Sequence, residues 1–131
     1  MSLLGGDLRT FLIADATITG LVVQRVYPNA LPQNPTYPAI TYNQVSGVRV
    51  RNLKGPSGTA QPRISINAWA STYLGARSLA DAIRQRIDGY SGLMGSTVVG
   101  NVILDNEIDF FEDQVLVHRV LQDYFIFNEE T

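Results

Sequence analysis

No cysteine occurs in the sequence, and only one histidine. The first absence rules out disulfides, thiolate metal sites and thiol nucleophiles, and it suits a reducing cytosol. The second leaves His118 as the one imidazole for a Ser-His-Asp arrangement, and no G-x-S-x-G elbow accompanies it. A lone strand histidine is read as a packed or half-exposed residue. Long apolar runs are missing too: none approaches the roughly 18 residues of a membrane span. Asp7 and Arg9 interrupt the opening "MSLLGGDLRTFLIADA", so no signal peptide is read there and a soluble protein is expected. Charge of one sign is also lacking. A net charge of −2 gives no general pull toward nucleic acid or anionic membrane.

What is present fits one globular domain, residues 1–131, with 45% hydrophobic and 17% charged residues. Leu4, Leu8, Phe11 and Leu12 share a helical stripe that is expected to firm up near Asp7, after Gly5 and Gly6. "TITGLVVQRVYP" is too mixed to type and is read as a turn into a short strand over Val23 to Tyr27. Pro28, Pro32, Pro35 and Pro38 then mark an extended loop. "AITYNQVSGVRV" has the composition of a strand, and "RISINAWA" alternates apolar and mainly polar residues with period two. Ser71 or Thr72 can cap a helix carrying Ala76, Leu79, Ala80, Ile83 and Ile87 on one stripe, ended by Gly89. Two strands follow, "TVVGNVILDNEIDFFE" and "QVLVHRVLQDYFIFN", joined near Asp113. The fold class is α+β, in the order α-β-β-β-α-β-β: two helices on one face of a mainly antiparallel sheet, a mixed sheet being the variant.

The stretch "NLKGPSGTAQPR", residues 52–63, invites comparison with a phosphate loop. A P-loop needs G-x-x-x-x-G-K-[ST] between a strand and a helix. Here Lys54 precedes the glycines, Pro56 removes a donor, and a strand follows. The stretch is read as a loop between strands. Its charge says more: Arg49, Arg51, Lys54 and Arg63 stand together with no acid among them. They form either a solvated loop or a surface for a partner or for DNA phosphates.

The acidic counterpart is "LDNEIDFFED". Alternation predicts Asp105, Glu107 and Asp109 on one strand face, about 6.5–7 Å apart. That spacing admits a glycosidase pair or a hard-metal site, but both need a cleft and supporting groups that the sequence does not supply. A wet strand face or an acidic partner surface remains. Trp69, Tyr73 and Tyr42 could stack on a base or sugar, or serve as core and interface aromatics. In the last strand Val115, Val117, Leu121, Phe125 and Phe127 point one way and Leu116, Val120, Tyr124 and Ile126 the other. Both faces are apolar, so a second cover is expected over the face without helices, either a loop or another subunit. With one basic and one acidic patch, head-to-tail contacts that close a ring follow as a hypothesis. No catalytic, cofactor-binding or metal-binding residue is assigned.

Two further stretches carry a family resemblance. "RVYPNALPQNPTYPAITYNQVSG" (25–47) looks like an Arg-hydrophobe-Tyr-Pro strand, a proline loop and a Pro-x-hydrophobe-x-Tyr strand ending in Ser-Gly. "RISINAWASTYLGARSLADAIRQRIDG" (63–89) looks like a strand ending in Trp-Ala followed at once by an Ala- and Arg-containing helix. From about Leu8 to Phe127 the chain resembles the bacteriophage tail completion or tail terminator proteins, related in fold to the terminator of lambdoid phages. The resemblance implies a structural protein of a phage or prophage virion, without cofactor or chemistry. Its members form a ring, usually a hexamer, on the head-proximal end of the tail tube. The ring stops tube polymerisation and offers a surface to the head connector, and DNA passes its lumen without sequence-specific binding. No membrane is involved, and assembly in the host cytoplasm is implied. The rival readings are a head–tail adaptor or connector subunit and, less favoured, a small hydrolase or nucleotide-binding enzyme. No motif of the family assigns a binding residue; the basic and acidic sets above rest on charge alone.

Overall fold

The computed structural model describes residues 4–46, 49–52, 55–60 and 62–129, with backbone alone for 4, 46, 49–52, 55–60 and 129. Helix α1 (Leu4–Ile13) puts Leu8, Phe11 and Leu12 into the core and begins before Asp7, its glycines included. A second helix, α2 (Ala16–Val22), occupies the stretch expected to be a turn. Thr17, Ile18 and Thr19 are β-branched and Gly20 is a poor helix former, which hid it in the sequence. Tertiary burial of Ile18 and Val22 overrides those propensities, and Asp15 caps the first turn by accepting from the N–H groups of Thr17 and Ile18. The expected strand narrows to β1 (Val26–Pro28), which runs parallel to β2 (Ala39–Ser46) and makes the sheet mixed. Between them the Arg25 guanidinium donates to the carbonyls of Pro38 and Leu21, tying off the proline loop from within.

Of the strand expected over residues 39–50, β2 holds Ala39–Ser46, and residues 49 and 50 belong to a separate strand, β3 (Arg49–Asn52). In place of the expected loop lie β3 and β4 (Gly55–Ala60), paired antiparallel; Gly47, Val48, Leu53, Lys54 and Gln61 lie outside the described residues. Then come β5 (Arg63–Ala70), α3 (Tyr73–Ile87), a short β6 (Gly92–Met94) absent from the sequence reading, β7 (Thr97–Glu112) and β8 (Val117–Glu129). Thr72 caps α3 by accepting from the Gly75 N–H. The strand path is β1-β2-β5-β8-β4-β3, with β7 on the other edge of β8 and β6 paired to the start of β7. Among the described residues the order is therefore α-α-β-β-β-β-β-α-β-β-β, with three helices where two were expected.

One side of this sheet is the core. Ile40, Ile66, Ala68, Val102, Tyr124 and Ile126 meet Leu8, Leu12 and Ile18, and Leu79, Ile83 and Ile87 of α3. Burying one such aliphatic side chain stabilises by about 1.5–3 kcal/mol, so this layer supplies the main driving force for the fold. Two anchors close its rim. Arg86 on α3 lays its guanidinium 3.7 Å from the Phe11 ring centre and donates twice to the Phe11 carbonyl. Asp7 on α1 accepts from the hydroxyls of Ser96 and Thr97 in the β6–β7 turn.

Candidate assembly surface

Residues opposed in register share a face, so the ladder β5–β8–β7 defines the side of the sheet away from the helices. Arg63 opposes Phe125, Ser65 opposes Asp123, Asn67 opposes Leu121, and Trp69 opposes Arg119. Arg119 in turn opposes Phe110 of β7, and Phe125 opposes Ile103. This face is covered in part by its own cations. The Arg63 guanidinium sits 5.3 Å from the centre of the Phe125 ring and ion-pairs with Asp123 and Asp105 at 3.0 and 3.1 Å. Asp123 also accepts a 2.5 Å hydrogen bond from Ser65. The hydrogen bond to Asp123, and then the charges of both acids, hold Arg63 still more firmly protonated than usual. Arg119 stacks between Trp69 and Phe110, at 5.4 and 4.2 Å, while donating to Glu112 and Asn67. Cations with apolar stems can cover aromatic faces and still reach water. Phe125, under the Arg63 guanidinium, is half-buried, as are Leu121 and Phe127, and Val117 is buried. Val115 and Leu116 belong to neither face: they sit in the turn 113–116, 60% and 69% exposed, correcting their expected place in a strand.

The acidic trio does not share a face. The register of β7 against β8 shifts between Leu104 and Asn106, leaving Asp105 in a bulge. One extra residue reverses the side to which all later side chains point. Asp105 therefore reaches Arg63 on the far face, while Glu107 and Asp109 turn toward α3, where Arg77 binds them at 2.8 and 3.1 Å. Tyr73 donates to Asp109, and that hydrogen bond, with the Asp109 charge, raises the tyrosine pKa. Glu107 also accepts from Gln122, which donates to the Ala80 carbonyl and accepts from the Tyr124 hydroxyl. Burial, chiefly, pushes the Tyr124 hydroxyl far above its ordinary range. This chain of polar contacts clamps α3 to the β7–β8 arm. Among the described residues no three histidine, cysteine, aspartate or glutamate side chains gather as a metal site.

Of the four basic residues, Arg63 is committed to Asp123 and Asp105. Arg49 and Arg51 lie on β3 without described side chains, and Lys54 lies outside the described residues. His118 packs its ring against Phe111 and Tyr73, with centres 4.8 and 5.9 Å apart. Trp69 donates to the Thr41 hydroxyl, and Tyr42 is buried in the core. Sequence reasoning missed Arg77, Arg119 and Gln122. Besides near neighbours such as Glu112 for Arg119 and Tyr124 for Gln122, each has a partner 15 to 52 residues away along the chain, which no local motif marks.

The arm and its face thus carry aromatic, charged and exposed apolar groups over an extended surface, with an open hollow of about 600 Å³ between Trp69, Phe111, Glu112, Val115 and Arg119. A family profile described as tail completion protein gp17 matches residues 6–127. The chain belongs to this family. Membership makes it a structural protein of the phage tail, in agreement with the resemblance read from residues 25–47 and 63–89. A comparison with curated protein sequences found no match. Among solved structures, a chain from the virion of a native gene transfer agent particle is similar in fold at a TM-score of 0.78. It is 16% identical, over 98% of this chain and 99% of that one.

Proposed function

We propose that this tail completion protein, acting as one domain, forms a ring of its own copies that caps the head-proximal end of the tail tube. The ring is hexameric, as the family resemblance implies, ends polymerisation of the tube protein and presents a joining surface to the head connector. DNA crosses its lumen without sequence-specific contacts, and assembly takes place in the host cytoplasm. The observation that carries this reading is the family match across residues 6–127, on a fold whose far sheet face remains half-covered. The contact surfaces we assign are the basic residues Arg49, Arg51 and Lys54, without Arg63, which its own Asp123 and Asp105 hold, and along β7 the acids Asp105, Glu107 and Asp109, which stand on two faces of that strand.

The test is negative-stain imaging of the protein mixed with its cognate tail tube protein. Tubes capped at one end by a ring and arrested in growth are expected. Tubes that lengthen unhindered and uncapped would reject the terminator role and favour a head–tail adaptor instead.

A further inference from the structure

We infer that the outer edge of β7, from Asp105 to Glu112, receives strand β3 (Arg49–Asn52) of a second copy, so that the sheet continues from subunit to subunit. The inference rests on the ring reading above and names the contact that would build the ring. An unpaired strand edge is a template for another strand, because its N–H and C=O groups point outward in a row.

Among the described residues four strands have an open side by topology: β1, β3, β7 and β6, the last only three residues long with its Leu93 carbonyl taken by the Tyr90 hydroxyl. The β1 edge is tied off within the chain. Arg9 donates to the carbonyls of Val26 and Gln24, the Val26 N–H bonds to Gln24, and Pro28 has no N–H to offer. The first half of β7 is tied off as well. Strand β6 pairs with residues 97–99, the Gly89 N–H donates to the Val102 carbonyl, and the Leu104 N–H donates to the Asp88 carboxylate. Past the bulge that protection stops: among the described residues no strand or loop pairs with β7 on this side from Asp105 to Glu112.

Charge selects the partner. Around this arm stand Asp105, Glu107, Asp109, Glu112, Asp113 and Asp123, against Arg63, Arg77 and Arg119; six acids less three guanidinium groups leave an excess of three negative charges. Two β7 edges would repel each other, and so would two β3 edges carrying Arg49 and Arg51. Arg63 is committed to its own Asp123, and by sequence the segment 49–60 carries Arg49, Arg51 and Lys54 and no acid. The contact that charge permits is therefore β3 against β7. These strands also lie at opposite ends of the path β7-β8-β4-β3, so their union is head-to-tail, the geometry that closes into rings.

Hydrogen exchange on the wild-type protein, as isolated subunits and as assembled rings, tests this without assuming a register. Amides of 105–112 and of 49–52 should both slow by about tenfold or more on assembly. Rings in which these amides exchange as fast as in the subunit would overturn the edge contact and leave the ring reading standing. Slowing of 105–112 only when tube protein is present would assign the edge to the tube and overturn pairing between copies. No ring under any condition, tube protein included, would reject the ring reading and the edge contact with it. The variant Arg49→Glu/Arg51→Glu, checked by circular dichroism for an unchanged fold, should fail to form rings; rings from it would count against the pairing.

Discussion

Asp7 joins two parts of the chain that lie 90 residues apart, through the Thr97 hydroxyl at 2.5 Å and the Ser96 hydroxyl at 3.0 Å. The Thr97 hydrogen bond is the main reason its carboxyl titrates below the ordinary value of 3.8. A carboxylate held below its unfolded pKa adds stability that is full above that value and fades as pH falls through the folded one. Asp7→Asn should therefore lower stability at neutral pH, and its denaturation midpoint should converge on that of wild type as pH falls below 3.8. Parallel curves across that range would reject the account. The neighbouring Gly95 has φ +59°, and a Cβ there would stand 2.5 Å from the Asp7 carboxylate oxygen. Gly95→Ala should cost at least about 1–2 kcal/mol for the left-handed backbone alone, with the steric conflict added. Urea denaturation measures it.

Between elements, Gln122 shows why a polar residue sits where periodicity asks for an apolar one. It is 1% exposed on the core side of β8, and its amide joins the Ala80 carbonyl of α3, Glu107 of β7 and the Tyr124 hydroxyl. Gln122→Leu would leave the Tyr124 hydroxyl buried without its acceptor, a loss of about 1–3 kcal/mol. Adding Tyr124→Phe should return part of that loss, because no orphaned hydroxyl remains. A double variant that is no more stable than Gln122→Leu would sink this explanation. The major elements were legible because their apolar residues repeat with the period of the structure: Leu8–Phe11–Leu12 in α1, Ala76–Leu79–Ile83–Ile87 in α3, and alternation in β5. The helix α2 was not, since its β-branched residues argue locally for extended chain and only burial against α1 and α3 reverses the choice. The face of Asp105 was hidden for another reason. A bulge is a relation between two strands, and a single strand's alternation carries no sign of it.

For the whole molecule, the turn 113–116 is the most exposed apolar feature of the long arm. Leu116 there holds φ +55°, a conformation costly for a branched side chain, and leaves 69% of its surface in water. Stability of the isolated chain does not account for a leucine at this position. Leu116→Asn should leave the fold intact and raise stability by up to about 1 kcal/mol, since asparagine tolerates this backbone. In a tail-joining assay it should lower the yield of completed particles if the tip meets a partner. Wild-type yield from the stabilised variant would show the tip to be free in the assembled tail.

The sequence by itself determined the absence of thiol chemistry, the α+β class, the principal helices and strands, and the family. These follow from composition, from periodicity and from words such as "RVYP" and "NAWASTY" that lie within one element or one junction. Tertiary structure decided how the charges are spent and which edges stay open. Arg63 meets Asp123 across 60 residues, and Arg77 meets Asp109 across 32, so neither pair has a local signature. The helices and the arm become one surface only when β8 has been placed between β5 and β7, because a strand's neighbours and its free edge are properties of the sheet.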